Sequence, residues 1–210
     1  MSATILVFAR APVPGSAKTR LIPALGADGA AAVHERLVDR ALATAVAAAV
    51  GPVELCCTPD DVHPALAGLA RVHGARLAPQ GPGDLGARMH AAIARALADG
   101  AQCAIVIGAD CPALAPRHLR EAAAALAGGH DAVLAPAEDG GYVLIGLKRA
   151  AAPLFAGIRW GEPSVMKDTR TRLAALGLRS VELETLWDVD RPEDLARMQG
   201  MREAGGVVRE

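Results

Sequence analysis

Residues 4–9 (TILVFA) form an unbroken apolar run that leads directly into a loop rich in proline and basic residues, 10–21 (RAPVPGSAKTRL). An unbroken apolar run is typical of a strand covered on both faces, as in a parallel sheet. Mostly apolar runs recur along the chain, and they predict strands at 4–9, 53–58, 103–108, 131–135 and 142–147. The alternation of Val and Leu at 179–183 makes that segment a further candidate strand. The amphipathic segments between them predict helices at 28–50, 62–73, 85–99, 116–127, 163–176 and 192–204.

This alternation of strands and helices predicts an α/β fold, a three-layer, Rossmann-like sandwich around a mostly parallel sheet. Ligands of such folds bind beyond the carboxyl ends of the strands. The segment 131–147 departs from the alternation, because its two strands are joined through Glu138-Asp139-Gly140-Gly141, which is a turn sequence. We therefore expect one antiparallel strand in the sheet.

Length and composition restrict the class of protein. The chain has 210 residues, a formal net charge of −1 and only 2% aromatic residues. The length predicts one domain, residues 1–204, followed by a loose tail at 205–210. Without a basic field or aromatic platforms, a nucleic acid partner is not expected. No segment is long and apolar enough for a membrane span, and no signal peptide is evident, so we expect a cytoplasmic protein without membrane contact. The oligomeric state does not follow from one sequence.

The four cysteines and six histidines show no catalytic or metal-binding spacing. We expect the cysteines to serve as small buried apolar residues. Most histidines are expected to be exposed, and none is assigned a catalytic role.

The loop after the first strand carries three cations, Arg10, Lys18 and Arg20, at a place where ligands of α/β sheets bind. An ammonium group beside a guanidinium fork suits a di- or triphosphate, and Gly15 lets the backbone approach a ligand closely. The loop fails the Walker A pattern, since Ala17 stands where glycine must precede the lysine. The alternative is a solvated basic loop that pairs with surface carboxylates.

Three aspartates are candidate metal ligands. Asp110 follows the strand 103–108, and its carboxylate suits Mg²⁺ or Mn²⁺ bound to phosphates; the alternative is a turn cap. Asp188 is the second candidate ligand, with a turn role as its alternative. Asp190 precedes Arg191-Pro192-Glu193, a helix start, so helix capping is the favoured role there, although metal binding stays open.

The turn before the fifth predicted strand has two interpretations. A hairpin needs residues that tolerate positive φ, which accounts for Gly140 and Gly141. The alternative is that the glycines admit a substrate beside Glu138 and Asp139, and that Asp139 accepts a proton from an acceptor hydroxyl. Trp160 either fills the edge of the core or stacks on a sugar.

Five motifs in this order resemble a known family: ARAPVPGxxKTRL (9–21), GDLGxRM (83–89), GADCP (108–112), AEDGGY (137–142) and WDVDxPEDL (187–195). They resemble the bacterial glycosyltransferase-like transferases associated with arsenosugar biosynthesis and radical-SAM gene clusters. That family belongs to the GT-A nucleotide-diphospho-sugar transferases. Its superfamily includes the molybdenum-cofactor and phospholactate guanylyltransferases.

The resemblance has consequences for the site. It implies that Asp110 is the metal aspartate, although only Gly-Ala-Asp stands where many GT-A enzymes have D-x-D, so another ligand must come from elsewhere. It also implies that the segment 80–86 lies near the nucleoside and the segment 138–142 near the donor sugar or acceptor. A plain loop with Asp84 as a helix cap is the alternative for the segment 80–86. Arg88 either reaches the same site or points only to solvent. The expected nucleotide-binding residues are Ala9, Arg10, Gly15, Lys18, Arg20, Gln80, Gly86 and Arg88. The expected substrate or acceptor residues are Glu138, Asp139, Gly140, Gly141 and Trp160.

Three functions remain open. The first is metal-dependent sugar transfer from a nucleotide-diphosphate sugar to a small-molecule acceptor, with Lys18, Arg20 and Asp139 acting in catalysis and Asp110 and Asp188 holding Mg²⁺ or Mn²⁺. The second is nucleotidyl transfer from an NTP to a phosphorylated acceptor, with release of pyrophosphate. The third is a nucleotide-binding module without turnover.

Overall fold

The computed structural model describes the backbone of residues 2–205 and the side chains of residues 2–201. Seven strands form one sheet in the order β3-β2-β1-β4-β6-β5-β7. They are β1 (Ala3–Arg10), β2 (Val53–Thr58), β3 (Arg76–Pro79), β4 (Cys103–Gly108), β5 (Ala132–Pro136), β6 (Tyr142–Leu147) and β7 (Ser180–Glu182). Strand β6 runs antiparallel to both β4 and β5, and the other pairs are parallel. The single antiparallel strand is therefore the one predicted.

Helices cover both faces of the sheet and complete the predicted three-layer sandwich. They are α1 (Ile22–Ala48), α2 (Pro64–His73), α3 (Leu85–Ala98), α4 (Pro116–Ala127), α5 (Ala152–Phe155), α6 (Val165–Ala175) and α7 (Pro192–Gly205), with a short 3₁₀ helix at Thr19–Leu21. The core on one face joins the strands to α1, α2 and α4, and the core on the other joins them to α3, α5 and α6. Among the described helices, none is long and apolar enough to cross a membrane.

Besides the 3₁₀ helix, two elements were not predicted, strand β3 and helix α5. Each has only four residues, which is too few to show the hydrophobic periodicity of a strand or helix, and β3 ends on a proline at the edge of the sheet. Helix α1 also begins six residues before its predicted start, because the 3₁₀ helix runs directly into it; Gly26 (φ 72°) interrupts its first turns. Gly205, predicted to begin a loose tail, ends α7, and residues 206–210 of that tail lie outside the described residues.

The buried side chains correct one expectation and confirm another. All four cysteines are free and buried, as predicted. The expectation that most histidines are exposed is wrong: His34 and His118 are buried, and the other four are half-buried. His118 sits at the start of α4, where its Nδ1 accepts a hydrogen bond from the backbone of Ala115 at 2.9 Å.

A buried carboxylate ties the early strands together at the edge of the sheet opposite the site. Glu54 on β2 is paired with Arg95 of α3 and with Arg76 of β3. Burial raises the pKa of Glu54, but hydrogen bonds from Arg95, Cys56 and Arg76 outweigh burial and hold that pKa below its usual value. Glu54 is therefore a stabilising anion above about pH 4.5.

Candidate active site

The strand order reverses direction between β1 and β4, and this switch point is where α/β sheets bind their ligands. The loop after β1 brings Lys18 to this point, and the end of β4 brings Asp110. Lys18 Nζ lies 2.9 Å from Asp110 Oδ2, and the side chains are 7% and 43% exposed. The structure thus joins the predicted phosphate-binding loop to the predicted metal aspartate.

The loop is closed over the sheet by contacts with the segment that precedes α7. Lys18 adopts a left-handed conformation (φ 49°, ψ 46°) and donates a hydrogen bond to the carbonyl of Val189 at 2.5 Å. The backbone N–H of Val189 in turn donates to the carbonyl of Asp110 at 2.9 Å. Arg20 forms an ion pair with Asp190. The basic loop therefore has carboxylate partners, as the alternative interpretation proposed, but those carboxylates are the acidic residues of the candidate site.

Asp190 is not the helix cap that was favoured from the sequence. Its side chain pairs with Arg20, and the cap comes instead from Asp194 in the first turn of α7. The Asp194 carboxylate accepts hydrogen bonds from the backbone N–H groups of Asp190 at 2.9 Å and Arg191 at 2.7 Å. Asp194 thus accepts from the two N–H groups that immediately precede α7, as the inner carboxylate of a capping box does. By contrast, Asp84 does cap α3, since it accepts from Ala87 N–H at 2.8 Å.

One residue of the site, His34, escaped the sequence analysis. It is buried on α1, where its Nε2 lies 2.9 Å from the carbonyl oxygen of Arg10. Because a carbonyl only accepts, Nε2 carries the hydrogen. The other ring nitrogen, Nδ1, lies 3.7 Å from Asp110 Oδ1. Both facing atoms are buried without a hydrogen-bond partner among the described residues, so the space between them suits a further donor or a cation.

The carboxylates near Asp110 carry the electrostatic signature of a cation site. Burial and the negative charges of Asp139 and Asp110 raise the pKa of Asp188 to about 6. Within the described residues, no group of three or more histidine, cysteine, aspartate and glutamate side chains forms a metal site by itself. Mg²⁺ commonly takes one or two carboxylates and completes its shell with substrate phosphates and water. Asp110 and Asp188 therefore fit an ion that binds together with a phosphorylated ligand.

A polar pocket of about 400 Å³ opens beside the Lys18–Asp110 pair. It is lined by the loop from Ser16 to Arg20 and by Arg10, His34, Asp110 and Asp190. The guanidinium of Arg10 is exposed and forms no ion pair with the described residues. Gly15 has a positive φ of 80° and open space around it. We call this the phosphate pocket.

The predicted nucleoside residues have mixed surroundings. Gln80 is buried, and its amide donates to the carbonyls of Ala9 at 3.2 Å and Cys56 at 2.9 Å, so it ties strands together. Gly86 is also buried, and a Cβ there would lie 2.7 Å from the ring of Trp160, which explains the glycine by packing. Arg88 lies at the sheet edge, with its Nη1 3.4 Å from the hydroxyl of Thr58. Nucleotide contacts of these residues stay predictions.

A second, mostly apolar cavity of about 170 Å³ lies on the α3 face of the sheet, between β4, β6 and the start of α6. We call it the apolar cavity. Asp139, Gly141 and Trp160 line it, and Trp160 packs edge-on against Tyr142 with 6.4 Å between ring centroids. The Asp139 carboxylate also accepts from Gly141 N–H at 2.8 Å, as the turn interpretation requires. A contact of Asp139 with substrate stays a prediction.

The remaining residues of this turn have structural partners. A Cβ on Gly140 (φ 91°) would strike the carbonyl of Pro163, so only glycine lets the hairpin pack against the start of α6. Glu138 forms a bidentate pair with Arg197 of α7, at 2.7 and 2.9 Å. The guanidinium of Arg197 also lies 4.3 Å from the ring centroid of Trp187. An acceptor contact of Glu138 would require this pair to open.

Comparison with known proteins adds to this geometry. The family model for "Uncharacterized protein conserved in bacteria (DUF2064)" matches residues 41–162. A crystal structure from Desulfovibrio desulfuricans G20, described as a "putative nucleotide-diphospho-sugar transferase", is 31% identical with a TM-score of 0.87. That match covers 97% of this chain and 89% of the other. Comparison with curated proteins gives no match.

More distant solved structures share the fold. A cytidylyltransferase from Leptospira borgpetersenii is 14% identical (TM-score 0.66), with 97% of this chain and 87% of that one covered. Glucosyl-3-phosphoglycerate synthase from Mycobacterium tuberculosis, solved with Mn²⁺ and uridine diphosphate, is 13% identical (TM-score 0.56), with 100% and 81% covered. The Desulfovibrio structure confirms the predicted resemblance and the assignment to the transferases. All three structures confirm the fold class.

Proposed function

From the premise that the chain belongs to the DUF2064 family, we propose that residues 1–204 form one catalytic domain for sugar transfer. The donor is a nucleotide-diphosphate sugar and the acceptor a small molecule. The observation that carries this proposal is the Lys18–Asp110 pair, 2.9 Å apart at the switch point of the sheet. The pair places a lysine that can bind phosphate beside an aspartate that can bind a metal ion. A diphosphate with its bound metal ion needs both groups.

The donor diphosphate would occupy the phosphate pocket. Arg10 would provide a guanidinium fork, and Lys18 a point charge held in place by Val189. Arg20 would exchange its partner Asp190 for a phosphate oxygen. Because these cations stand in the site before the ligand arrives, they would stabilise the charge on a leaving nucleoside diphosphate at little cost in rearrangement.

Asp110 and Asp188 would hold Mg²⁺ or Mn²⁺. When bound, the ion would supply positive charge to the diphosphate. Three features support this fit: the buried, unpartnered Asp110 Oδ1, the raised pKa of Asp188, and the position of Asp139 close enough to contribute to that pKa. The structural relative solved with Mn²⁺ and uridine diphosphate is consistent with such an ion.

Asp139 would act on the acceptor. In the transfer, a bond forms between the acceptor hydroxyl oxygen and the anomeric carbon, and the bond from that carbon to the diphosphate oxygen breaks. The hydroxyl proton passes to the Asp139 carboxylate, and the electron pair of the broken bond stays on the nucleoside diphosphate. Asp139 is exposed and lies at the rim of the apolar cavity, so it is accessible to an acceptor from that side.

Nucleotidyl transfer is the second candidate. The specific observation in its favour is that Arg10, Lys18 and Arg20 all line one pocket of about 400 Å³, which gives a triphosphate three cations. In that reaction an acceptor phosphate would attack the α-phosphate of an NTP, and pyrophosphate would leave.

Product analysis separates the two candidates. The protein is first tested in a thermal-shift panel of NTPs, NDPs and NDP-sugars with Mg²⁺ or Mn²⁺, because bound ligand raises the melting temperature. The best ligands are then incubated with the protein and mixed alcohol and phosphate acceptors. We expect release of a nucleoside diphosphate. Pyrophosphate release without nucleoside diphosphate would contradict sugar transfer and establish the second candidate.

Asp110→Asn tests the metal. The matched control is Asp99→Asn, an exposed carboxylate at the opposite edge of the sheet. We expect Asp110→Asn to remove metal-dependent stabilisation by nucleotide and Asp99→Asn to retain it. Tight nucleotide binding that survives both EDTA and Asp110→Asn, with no turnover, would instead establish a binding module.

A further inference from the structure

The two pockets flank the end of β4 and differ sharply in charge. Asp110 lines the phosphate pocket, and Gly108, two residues earlier, lines the apolar cavity. The phosphate pocket is lined by two arginines and a lysine, whereas none of the described residues that line the apolar cavity is a lysine, arginine or histidine. The acids that line the cavity are Asp139 and Glu162, both exposed side chains at its rim.

The walls of the cavity are hydrophobic. They include Phe8 of β1, Met89 of α3, Val106 of β4, Ile145 of β6 and the indole of Trp160. A volume of about 170 Å³ is close to that of a cavity that binds one benzene ring. Such a space has room for the apolar body of a small ligand, and its walls offer few partners for the hydroxyl groups of a free sugar.

The cavity depends on a missing side chain. Gly108 follows Val106 on the same face of β4, and an added Cβ at Gly108 would have no atom within 4 Å. Its φ lies outside the range that disfavours other residues. A side chain at position 108 would therefore project into the cavity without straining the backbone.

We propose that the apolar cavity binds the uncharged, ring-sized apolar body of an alcohol acceptor and rejects a phosphorylated one. This inference rests on the proposed transfer to an acceptor hydroxyl. A phosphate in the cavity would face Asp139 and Glu162 with no basic side chain among the described lining residues to compensate it, while the hydroxyl of a neutral alcohol can reach Asp139. The proposed acceptor, an uncharged alcohol, therefore differs from the phosphorylated acceptor that nucleotidyl transfer would require.

The test measures binding without any nucleotide, so that it stands apart from the test of sugar transfer. Trp160 is one of only two tryptophans, so the variant Trp187→Phe leaves it as the single fluorescent reporter. Benzyl alcohol, benzyl phosphate and glucose are titrated into this protein. We expect benzyl alcohol to change the Trp160 emission and to bind at least about tenfold more tightly than benzyl phosphate, because the phosphate meets like charges at the rim. We expect a similar margin over glucose, because the apolar walls offer few partners for its hydroxyl groups.

Two variants sharpen the result. Gly108→Leu is expected to abolish the response to benzyl alcohol. Glu162→Lys is expected to lower the ratio of the dissociation constants of benzyl phosphate and benzyl alcohol by about three- to fivefold. Glu121→Lys, a control at an exposed position of α4, is expected to leave this ratio unchanged. If Gly108→Leu fails to fold, the comparison of Glu162→Lys with its control Glu121→Lys still tests the proposal.

Tighter binding of benzyl phosphate or of glucose, or no binding of benzyl alcohol, would overturn the inference. Product analysis with nucleotide sugars tests the proposed function separately. A protein that binds benzyl alcohol but releases no nucleoside diphosphate would refute sugar transfer and leave the apolar site in place. A protein that transfers sugar but prefers benzyl phosphate would refute the inference alone.

Discussion

The ammonium group of Lys18 pairs with Asp110, the carboxylate that would hold a metal ion. Removing this ammonium should therefore strengthen the binding of the metal ion and weaken the binding of the nucleotide. Lys18→Met keeps the length of the side chain and deletes its charge. In the structure the ammonium lies 2.9 Å from Asp110 Oδ2. We expect the variant to bind Mn²⁺ more tightly than the wild type when nucleotide is absent, and to bind nucleoside diphosphate more weakly when Mn²⁺ is saturating.

The magnitudes follow from burial. A charge-assisted hydrogen bond contributes about 1.5–3 kcal/mol. Because Asp110 is 43% exposed, solvent screening places this pair near the lower end, about 1.5 kcal/mol, or about tenfold in the Mn²⁺ dissociation constant. Lys18 itself is only 7% exposed, so loss of its contact to phosphate should weaken nucleotide binding by about 2–3 kcal/mol, or about 30- to 150-fold.

Isothermal titration calorimetry with MnCl₂ alone, and then with the best nucleoside diphosphate from the thermal-shift panel, measures both effects. Lys148→Met is the matched control, because this exposed lysine directly follows β6 and so lies at the opposite edge of the sheet. An unchanged or weaker affinity of Lys18→Met for Mn²⁺ would refute the reasoning, since Asp110 would then not be a ligand of the ion.

Glu54→Gln should cost about 2 kcal/mol of unfolding free energy near pH 7 in urea denaturation. Because the folded pKa of Glu54 lies below the unfolded one, this stabilisation exists above about pH 4.5 and fades as the pH falls further; a cost that does not shrink there would contradict it. Gly140→Ala should lower the melting temperature and cost about 2–3 kcal/mol, because the methyl group strikes backbone at a positive φ. Gly68→Ala, in open space on α2, should be neutral or stabilising by up to about 1 kcal/mol, and equal effects would argue against the packing described for the turn. His34→Leu should cost about 1–2 kcal/mol, since a carbonyl at the end of β1 loses its donor; wild-type stability in the same denaturation assay would show that the contact contributes nothing.

Local patterns in the sequence account for most of the architecture. Strands β2, β4 and β6 match their predicted bounds. β4 and β6 are unbroken apolar runs between clear turn residues, and the apolar residues of β2 are interrupted only by Glu54 before its final threonine. The ends of parallel strands share one edge of a sheet, so a basic loop after β1 and an aspartate after β4 could be expected to lie close together. The single antiparallel strand followed from the turn at 138–141.

The parts that could not be predicted depend on tertiary contacts. His34 stands in the middle of a helix, and only the packing of α1 against the end of β1 reveals its role. The roles of Asp190 and Asp194 are another example. The Asp190 carboxylate pairs with Arg20, 170 residues away in the sequence, and Asp194 accepts from the N–H groups before α7. A local motif cannot reveal a partner so distant in the sequence.

The contacts that close the phosphate pocket also set the order in which the protein can mature. Lys18 and Val189 are separated by 171 residues, and Arg20 and Asp190 by 170. During synthesis the loop after β1 leaves the ribosome early, yet the backbone that holds Lys18 arrives only after all seven strands have been made. A chain that stops before residue 189 would contain all seven strands and the cations of the loop. It would lack the carbonyl that accepts from Lys18 and the carboxylate that pairs with Arg20, so the proposed nucleotide site would be completed only when this last segment is added.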